Sequence, residues 1–486
     1  MIYRLRPYQE DCVKSISDYI NSDRRDPVLI VAPVAAGKSI LIAEAARLMG
    51  DKTLVLQPSR ELLTQNHDKI TSYGIPATIY SASCGKKELS NMIYATLGSI
   101  KKVVGQLKEM GIRNVLIDEA HAGYSPEDGS EFMTFMNELK PRKVIGFTAT
   151  PCRLKNMSIG QTSYSQLNFI TRMRPVYFKN LIHVIQVEEM IRQGFWTPLK
   201  YETWDFNGDA LKLNSNGSEY TAESISEAVR KNGLNNLILR RLMVLKDVCR
   251  SILVFMDSVE SCNTAAEWMN AKICAGMAEV VHGGTPKKQR EAIVERFKSG
   301  KTKVVFNYSA LGTGFDHPGL DCVIVGRPTF SFSSFYQWLG RAVRIKDGKD
   351  SALVVDCCNN SSRFGDIRKL SIENYKGCGW GMFIGDKLIT NIPMGDKVTK
   401  TDLDIKAAKK DRRRGLAQGI TASPVPGRPD HPLGSTVMTF GKYSGWMLHS
   451  IPVSYFKFIN ETFDWDNDRN KEIKEYIDFL IKNNRL

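Results

Sequence analysis

The sequence predicts an α/β protein of two tandem parallel-sheet domains followed by a small C-terminal module. Three observations carry that prediction. Short apolar runs alternate with helix-length segments over the first third of the chain, the rhythm breaks after residue 152, and it resumes near residue 250. Strands that are apolar throughout, rather than at every second position, belong to sheets covered on both faces, and helical crossovers are what cover them.

Taken in order, Cys12, Val13, Ile16 and Ile20 lie close to a helical spacing, which predicts an amphipathic helix over 8–21. Buried strands are expected at VLIVA (28–32), TLVLQ (53–57), NVLIDE (114–119) and KVIGFTA (143–149), with helix-length segments at 38–49 and 60–73. These define a first domain, 1–155. Residues 156–235 read as a bridge: basic and aromatic side chains (Arg172, Arg174, Tyr177, Phe178, Lys179), then the polar loop NGDALKLNSNGSEY. The second domain, 236–375, repeats the alternation with SILVFM (251–256), AEVVH (278–282), KVVFN (303–307), DCVIVG (321–326) and ALVVD (352–356). Residues 376–430, with Lys406, Lys409, Lys410, Arg412, Arg413 and Arg414, are expected to form an exposed basic linker. Aromatic and apolar content returns over 431–486.

The 486 residues are 42% hydrophobic and 24% charged, an ordinary globular balance, and the length favours two or three domains. Sixty-seven basic against 52 acidic residues give a formal net charge of +15, which suits a polyanionic partner. The ten cysteines include no CxxC pair with a nearby histidine, so they read as reduced thiols of a cytosolic protein rather than zinc ligands. The opening MIYRLRPYQEDC is too charged for a signal peptide, and the apolar run at 28–36 is too short to span a bilayer. A soluble, cytoplasmic protein with no membrane partner is expected; nothing in the chain names a protein partner.

The segment from Ala32 to Ser39, APVAAGKS, follows a strand and opens a helix. Backbone amides and a helix N-terminus converge there, which suits phosphate. Lys38 would reach the β- and γ-phosphates of ATP and Ser39 would ligand Mg²⁺. Ala32 stands where the pattern opens with glycine, and Ala35 replaces a central glycine; alanine fits that position only with a negative φ. About 80 residues on, Asp118-Glu119-Ala120-His121 ends another expected parallel strand. Asp118 there can hold the metal's coordination shell, and Glu119 can take a proton from attacking water.

Together these residues resemble the DEAH-type motif set of superfamily-two helicases, and the remaining motifs fall in order. Arg6-Pro7-Tyr8-Gln9 resembles the adenine-sensing motif, with Gln9 pairing to the base. Pro58-Ser59-Arg60-Glu61-Leu62 resembles the strand-contacting motif. Thr148-Ala149-Thr150 follows the next strand and resembles the motif that couples hydrolysis to domain motion. Gly312-Thr313-Gly314-Phe315-Asp316 and the run Gln337 to Arg344, QWLGRAVR, resemble the fifth and sixth motifs. The resemblance covers about residues 1–356. It implies two RecA-like domains with nucleotide between them: Gln9, Ala32, Gly37, Lys38, Ser39, Gly314 and Asp316 at the nucleotide, Ser39 and Asp118 at the metal, Glu119 with Gln337, Arg341 and Arg344 in catalysis. It further implies coupling through His121, Thr148 and Thr150, and nucleic-acid contacts from Arg60, Ser99 and Thr313. The implied activity is ATP-dependent helicase or translocase action on single-stranded or branched DNA in repair, recombination or replication. Duplex translocation without strand separation, or RNA as substrate, are the alternatives.

RLRPYQEDCVKSI, GKSILIAEAARL and TGFDHP are similar to the RadD-like group of DNA-repair helicases and their phage relatives. Beyond residue 356 the likeness ends, because the paired cysteines of that group's zinc region are missing. Near the C-terminus, Met438 to Trp446 (MTFGKYSGW) resembles an FGKY-type module. It reads either as an accessory DNA patch built on Lys442, Tyr443 and Trp446, or as a hydrophobic core with a glycine turn.

Overall fold

The computed structural model describes residues 4–408, apart from 128, 160–161, 312–314 and 377, and then 433, 436–439, 443–451, 453–462, 465 and 470–483. Two compact units divide the chain, Met1–Leu403 and Asp404–Leu486.

Within the first unit lie two large sheets that are parallel throughout except for the short edge strand Lys86–Lys87, which pairs antiparallel with Thr78–Ser81. The first contains β1 (Val28–Val31), β2 (Thr53–Leu56), β3 (Thr78–Ser81), the short β4 (Lys86–Lys87), β5 (Met92–Ala95), β6 (Asn114–Ile117) and β7 (Lys143–Thr148). After an antiparallel hairpin, β8 (Cys152–Ile159) and β9 (Thr162–Phe169), β10 (Asn180–Val184) returns to the first sheet, whose order is β10-β1-β7-β6-β2-β5-β3-β4. The second sheet takes β11 (Leu199–Thr203), β12 (Ile252–Phe255), β13 (Ala278–His282), β14 (Val304–Tyr308), β15 (Cys322–Val325) and β16 (Ala352–Asp356), in the order β11-β16-β15-β12-β14-β13. Every residue of β1, β2, β5, β6 and β7 is buried, as strands covered by helices on both faces must be. The expected α/β architecture is therefore present, with helices at Pro7–Asn21, Lys38–Met49 and Arg60–Thr71 close to the predicted limits.

The bridge is not a separate segment. β10 pairs in parallel with β1, beginning at Val28 opposite Asn180, while β11 pairs in parallel with β16, beginning at Leu199 opposite Ala352. Both are edge strands and only part-buried, so neither carries the continuous apolar run that marks a central strand.

The expected basic linker also differs from the structure at its start. β17 (Leu370–Tyr375), β18 (Gly379–Ile384), β19 (Lys387–Leu388) and β20 (Val398–Thr399) form an antiparallel sheet. Its strands are short, one-faced and broken by Gly-Asp-Lys turns, which hides the alternation. The segment after β19 continues the pairing of the β8–β9 hairpin: Asn391 N donates to Leu167 O at 2.7 Å, and Met394 N to Ser165 O at 2.8 Å. Gln186 holds both backbone groups of Ile372, at 2.8 and 3.2 Å. Lys406 is exposed; Lys409, Lys410 and Arg412–Arg414 lie outside the described residues.

In the second unit, the helices Val453–Thr462 and Lys471–Lys482 share a core of Met438, Leu448, Ile451, Phe456, Ile459, Ile473, Ile477 and Leu480. Tyr443 and Trp446 pack against that core, 5.4 Å apart and edge to face, so the hydrophobic-core reading accounts for both. Lys442 lies outside the described residues. Among the described residues, no helix is long and apolar enough to cross a membrane.

Candidate active site

The carboxyl ends of β1, β6 and β7 meet at one point, where an open parallel sheet places ligand chemistry. After β1 the chain turns through Pro33 to Gly37 and enters the helix Lys38–Met49. Gly37 takes φ +79°, and no side chain caps this helix. The first ladder bond runs from Ile40 N to Gly37 O at 2.9 Å, so the amides of Lys38 and Ser39 precede it. An uncapped helix start opening on a cleft is an anion site by construction. Ala32 N is tied to Thr148 O at 2.9 Å, fixing the loop's first residue to the end of β7.

Ala35 corrects the expectation drawn from its chemistry: its φ is +65°, not negative. An alanine side chain is thus held in the left-handed region, at a cost of about 1–2 kcal/mol. The loop keeps the path a glycine would give it, with strain in place of glycine's freedom.

Lys38 Nζ lies 2.8 Å from Asp118 Oδ1 and also pairs with Glu119. Burial works against the charge on Lys38, but the two carboxylates outweigh it and its pKa lies above the ordinary lysine value. Burial raises Asp118, Glu119 adds to the rise, and Lys38 opposes it. Asn66 Nδ2 donates to Asp118 Oδ2 at 3.0 Å, fixing the carboxylate's second oxygen. Glu119 Oε2 is buried, makes no hydrogen bond, and sits 3.3 Å from His121 Nδ1. His121 is pushed down to about 3 by burial, with Lys38 and Arg153 adding, so its imidazole is neutral near pH 7.

The second lobe supplies the facing wall. The helix Phe332–Leu339 carries Gln337 and ends just before Arg341. One cleft of about 340 Å³ is lined by Lys38, Ser39 and Glu119 from one side and by Gln337, Arg341 and Arg344 from the other. Arg341 Nη1 donates to Phe315 O at 2.6 Å, and Arg344 pairs with Asp316. Burial pulls Arg341 down to about 10, which leaves it cationic at neutral pH. Gly340 meets Val34 directly: a Cβ on Gly340 would lie 2.6 Å from Val34 Cβ.

A chain of polar contacts leaves the cleft. His121 Nδ1 is 2.8 Å from Thr148 Oγ1; His121 Nε2 is 3.2 Å from Ser333 Oγ, which is 3.1 Å from Thr150 Oγ1. Sequence reasoning named His121, Thr148 and Thr150 but missed Ser333 and Asn66, since a lone serine or asparagine on a helix carries no pattern.

Gln9 departs from expectation. Its Oε1 accepts from Arg6 N at 3.0 Å and its Nε2 donates to Ala36 O at 2.8 Å, so both edges of the amide serve the protein backbone. It closes a capping box on the helix Pro7–Asn21 and braces the phosphate loop, and it does not line the cleft. Arg6 and Phe195 line it instead, the guanidinium 4.7 Å over the ring. Arg60 is exposed at the carboxyl end of β2. Ser99 Oγ accepts from Ala82 N at 3.0 Å and from Thr96 at 3.1 Å, at the carboxyl end of β5. Thr313 and Gly314 lie outside the described residues.

Ser39 and Glu119 line the cleft, and the Asp118 carboxylate lies behind it on Lys38, so hydroxyl and carboxylate oxygens form a hard-donor set there. Such a set fits Mg²⁺, which takes one or two carboxylates plus substrate phosphates rather than a full protein cage.

Two parallel sheets, with Lys38 and Ser39 after a strand of one and Arg341 and Arg344 beside the other, give the chain a two-lobed RecA-like build. Residues 2–153 match the family model "Type III restriction enzyme, res subunit", and residues 235–346 match "Helicase conserved C-terminal domain". Both models match in that order on one chain, which relates it to the helicases of superfamily two. A 51.5 kDa protein of a Lactococcus phage (isolate 7-9) is 25% identical over 332 residues, 68% of this chain and 65% of the relative. The putative ATP-dependent helicase IRC3 of Saccharomyces cerevisiae is 23% identical over 378 residues, covering 74% of this chain and 52% of the relative. The DNA 3'-5' translocase XPB2 of Sulfurisphaera tokodaii is 24% identical over 380 residues, covering 72% and 80%. This chain thus spans 65% and 52% of the length of the first two. Among solved structures, a fragment of a putative HsdR subunit of a type I restriction enzyme from Vibrio vulnificus shares the fold at TM-score 0.54 and 18% identity, over 74% of this chain and 65% of the other.

Proposed function

We propose that this protein is an ATP-driven motor on nucleic acid, and that single-stranded or branched DNA is its substrate. The observation that carries the reading is the facing of Lys38 and Glu119 by Gln337, Arg341 and Arg344 across one cleft.

Arriving phosphates draw the Lys38 ammonium away from Asp118 and Glu119 and into the loop's amide cradle. Ser39 and Asp118 would hold Mg²⁺, which when bound neutralises phosphate charge. Glu119 takes the proton of the attacking water as its oxygen bonds to the γ-phosphorus and the bond to the leaving diphosphate breaks. Arg341 and Arg344 turn from Phe315 O and Asp316 toward the γ-phosphate, where charge grows, and Gln337 orients the water. Arg6 over Phe195 offers the base a flat surface at the cleft mouth.

Loss of the γ-phosphate removes the bridge between lobes, and His121, Thr148, Thr150 and Ser333 carry that change along their shared contacts. Arg60, Ser99 and Thr313 would meet the strand at phosphate and sugar, so binding is largely sequence-independent. The surplus of basic residues supports a polyanionic track. DNA rather than RNA is supported by the translocase relative and by the likeness to restriction motors. A role in repair, recombination or replication, beside the RadD-like group, is the finer reading, and it rests on the sequence motifs RLRPYQEDCVKSI, GKSILIAEAARL and TGFDHP.

The test is ATP hydrolysis by the full chain with single-stranded, duplex, forked and four-way DNA, and with RNA, beside a Lys38→Ala control. Stimulation by single-stranded or branched DNA, lost in the control, is the expected result. Stimulation by RNA alone selects an RNA motor; triplex displacement without fork unwinding selects a duplex translocase. Full turnover by Lys38→Ala overturns the assignment of the phosphate loop.

A further inference from the structure

Arg341 and Arg344 stand on a turn, not on a helix. The helix Phe332–Leu339 ends before them, and the last short-range bonds run from Arg341 N to Trp338 O at 3.2 Å and from Ala342 N to Leu339 O at 3.0 Å. Beyond that point no ladder fixes the backbone, yet a finger must be held within a fraction of an ångström of its productive place.

What fixes it comes from outside the turn. Lys349 Nζ donates to Ala342 O at 2.6 Å, to Arg344 O at 2.8 Å and to Pro318 O at 3.1 Å. Thr197 completes the set, its N donating to Val343 O and its Oγ1 to Arg344 O, each at 2.8 Å. The Pro318 carbonyl belongs to the segment whose Phe315 O and Asp316 carboxylate hold the two guanidinium groups. One ammonium therefore ties together the two strips of backbone that place both arginines. A lysine has three N–H donors, and all three are spent on carbonyls. Among the described residues, no carboxylate forms an ion pair with it.

We propose that Lys349 is a positioning residue for ATP hydrolysis, holding the Arg341–Arg344 turn in register with the facing lobe. This rests on the reading of Arg341 and Arg344 as fingers on the γ-phosphate.

The proposal has a titratable signature. Burial pulls Lys349 down to about 8, with Asp321 favouring its charge and Arg344 and Lys346 opposing it. His317, on the segment that carries Pro318, is pushed down to about 4 by burial and nearby lysines, so it is neutral there. Lys38 is held above the ordinary lysine value and keeps its charge in the same range. Once deprotonated, Lys349 has two N–H groups for three carbonyls and turns a lone pair toward an oxygen. The turn loosens as pH rises past its pKa.

The experiment measures kcat and KM for ATP from about pH 6.5 to 9.5 for the wild type, Lys349→Arg and Lys349→Met, with thermal melting of each. In the wild type, kcat falls along a limb near pH 8 while KM holds. Lys349→Met loses on the order of 10²-fold in kcat across the range, with KM little changed. Lys349→Arg keeps most of the rate and lacks the limb, because its charge does not titrate there. Should Lys349→Met fail to fold, the limb in wild type against Lys349→Arg decides alone. A limb that persists in Lys349→Arg, a Lys349→Met kcat within about twofold of wild type, or a loss seen in KM only overturns the proposal. A wild type without Lys38-dependent hydrolysis overturns the underlying function instead, which keeps the two failures apart.

Discussion

Ser333 Oγ lies 3.2 Å from His121 Nε2, so a single hydroxyl from the second lobe touches the motif that ends β6 in the first. The same oxygen is 3.1 Å from Thr150 Oγ1, so a serine the sequence does not single out joins the two coupling motifs. His121 is neutral near pH 7 and can accept at one nitrogen while donating at the other, so the bridge needs no ion pair.

Ser333→Ala removes both contacts, each worth about 0.5–1.5 kcal/mol net. The expected outcome is a fall of about three- to tenfold in the stimulation of ATP hydrolysis by nucleic acid. The ratio of stimulated to unstimulated kcat measures it; an unchanged ratio denies Ser333 a coupling role.

Gly340→Ala sets a methyl group into Val34, whose Cβ lies 2.6 Å from the ideal position. Overpacking of this kind costs about 1–3 kcal/mol and falls on the closed arrangement of the lobes. We expect kcat to drop by about one order of magnitude, and Val34→Gly in the same chain to restore it. Failure of that second change to restore the rate would place the defect elsewhere.

Arg341→Ala should bind ATP almost as the wild type does and hydrolyse it about 10³-fold more slowly, the scale on which an arginine finger acts. A fluorescent nucleotide titration beside single-turnover hydrolysis separates the two effects. Lost binding with normal chemistry would deny Arg341 a role at the γ-phosphate.

Ala35→Gly relieves a φ of +65° but adds backbone freedom to the unfolded chain. Strain of about 1–2 kcal/mol against an entropy cost of about 0.5–1 kcal/mol leaves a small net gain. Denaturant unfolding should show equal or slightly higher stability, and Ala35→Val a clear loss. The reverse order would mean that the loop does not hold this backbone path in solution.

His317 Nε2 is 2.8 Å from Ser251 Oγ in a buried pocket, and burial with nearby lysines pushes its pKa down to about 4. A histidine depressed below its unfolded value of about 6.5 supports the fold above that pH, and the support is lost as pH falls toward 4. The contribution is on the order of 2 kcal/mol. Melting temperature against pH should therefore decline over that window, and the decline should be shallower in His317→Gln. An equal decline in both would assign acid sensitivity to other groups.

Most central strands, the phosphate loop, Asp118 and Glu119, and the paired arginines were legible in the sequence, but the buried β5 (Met92–Ala95) was not, its four residues MIYA being too short a run to stand out. Each legible feature is encoded locally: a fully apolar run, a Gly-Lys-Ser after a strand, two acids at a strand end, a fixed spacing on one short segment. The edge strands β10 and β11 and the sheet β17–β20 were not, because half-exposed strands borrow their identity from the neighbour they pair with. The residue at Ala35 was read for the wrong sign of φ, since backbone strain depends on what surrounds the loop.

Sequence by itself determined which chemical groups this protein carries and the order in which two similar sheets present them. Only the tertiary structure decided that Gln9 braces Ala36 O, that Asn66 holds Asp118, that Ser333 joins His121 to Thr150, and that Lys349 gathers three carbonyls behind the arginines. The physical reason is range. Periodicity and short motifs record what a residue does with neighbours a few positions away, whereas a hydrogen bond across 52 or 212 positions leaves no mark on either end of the chain.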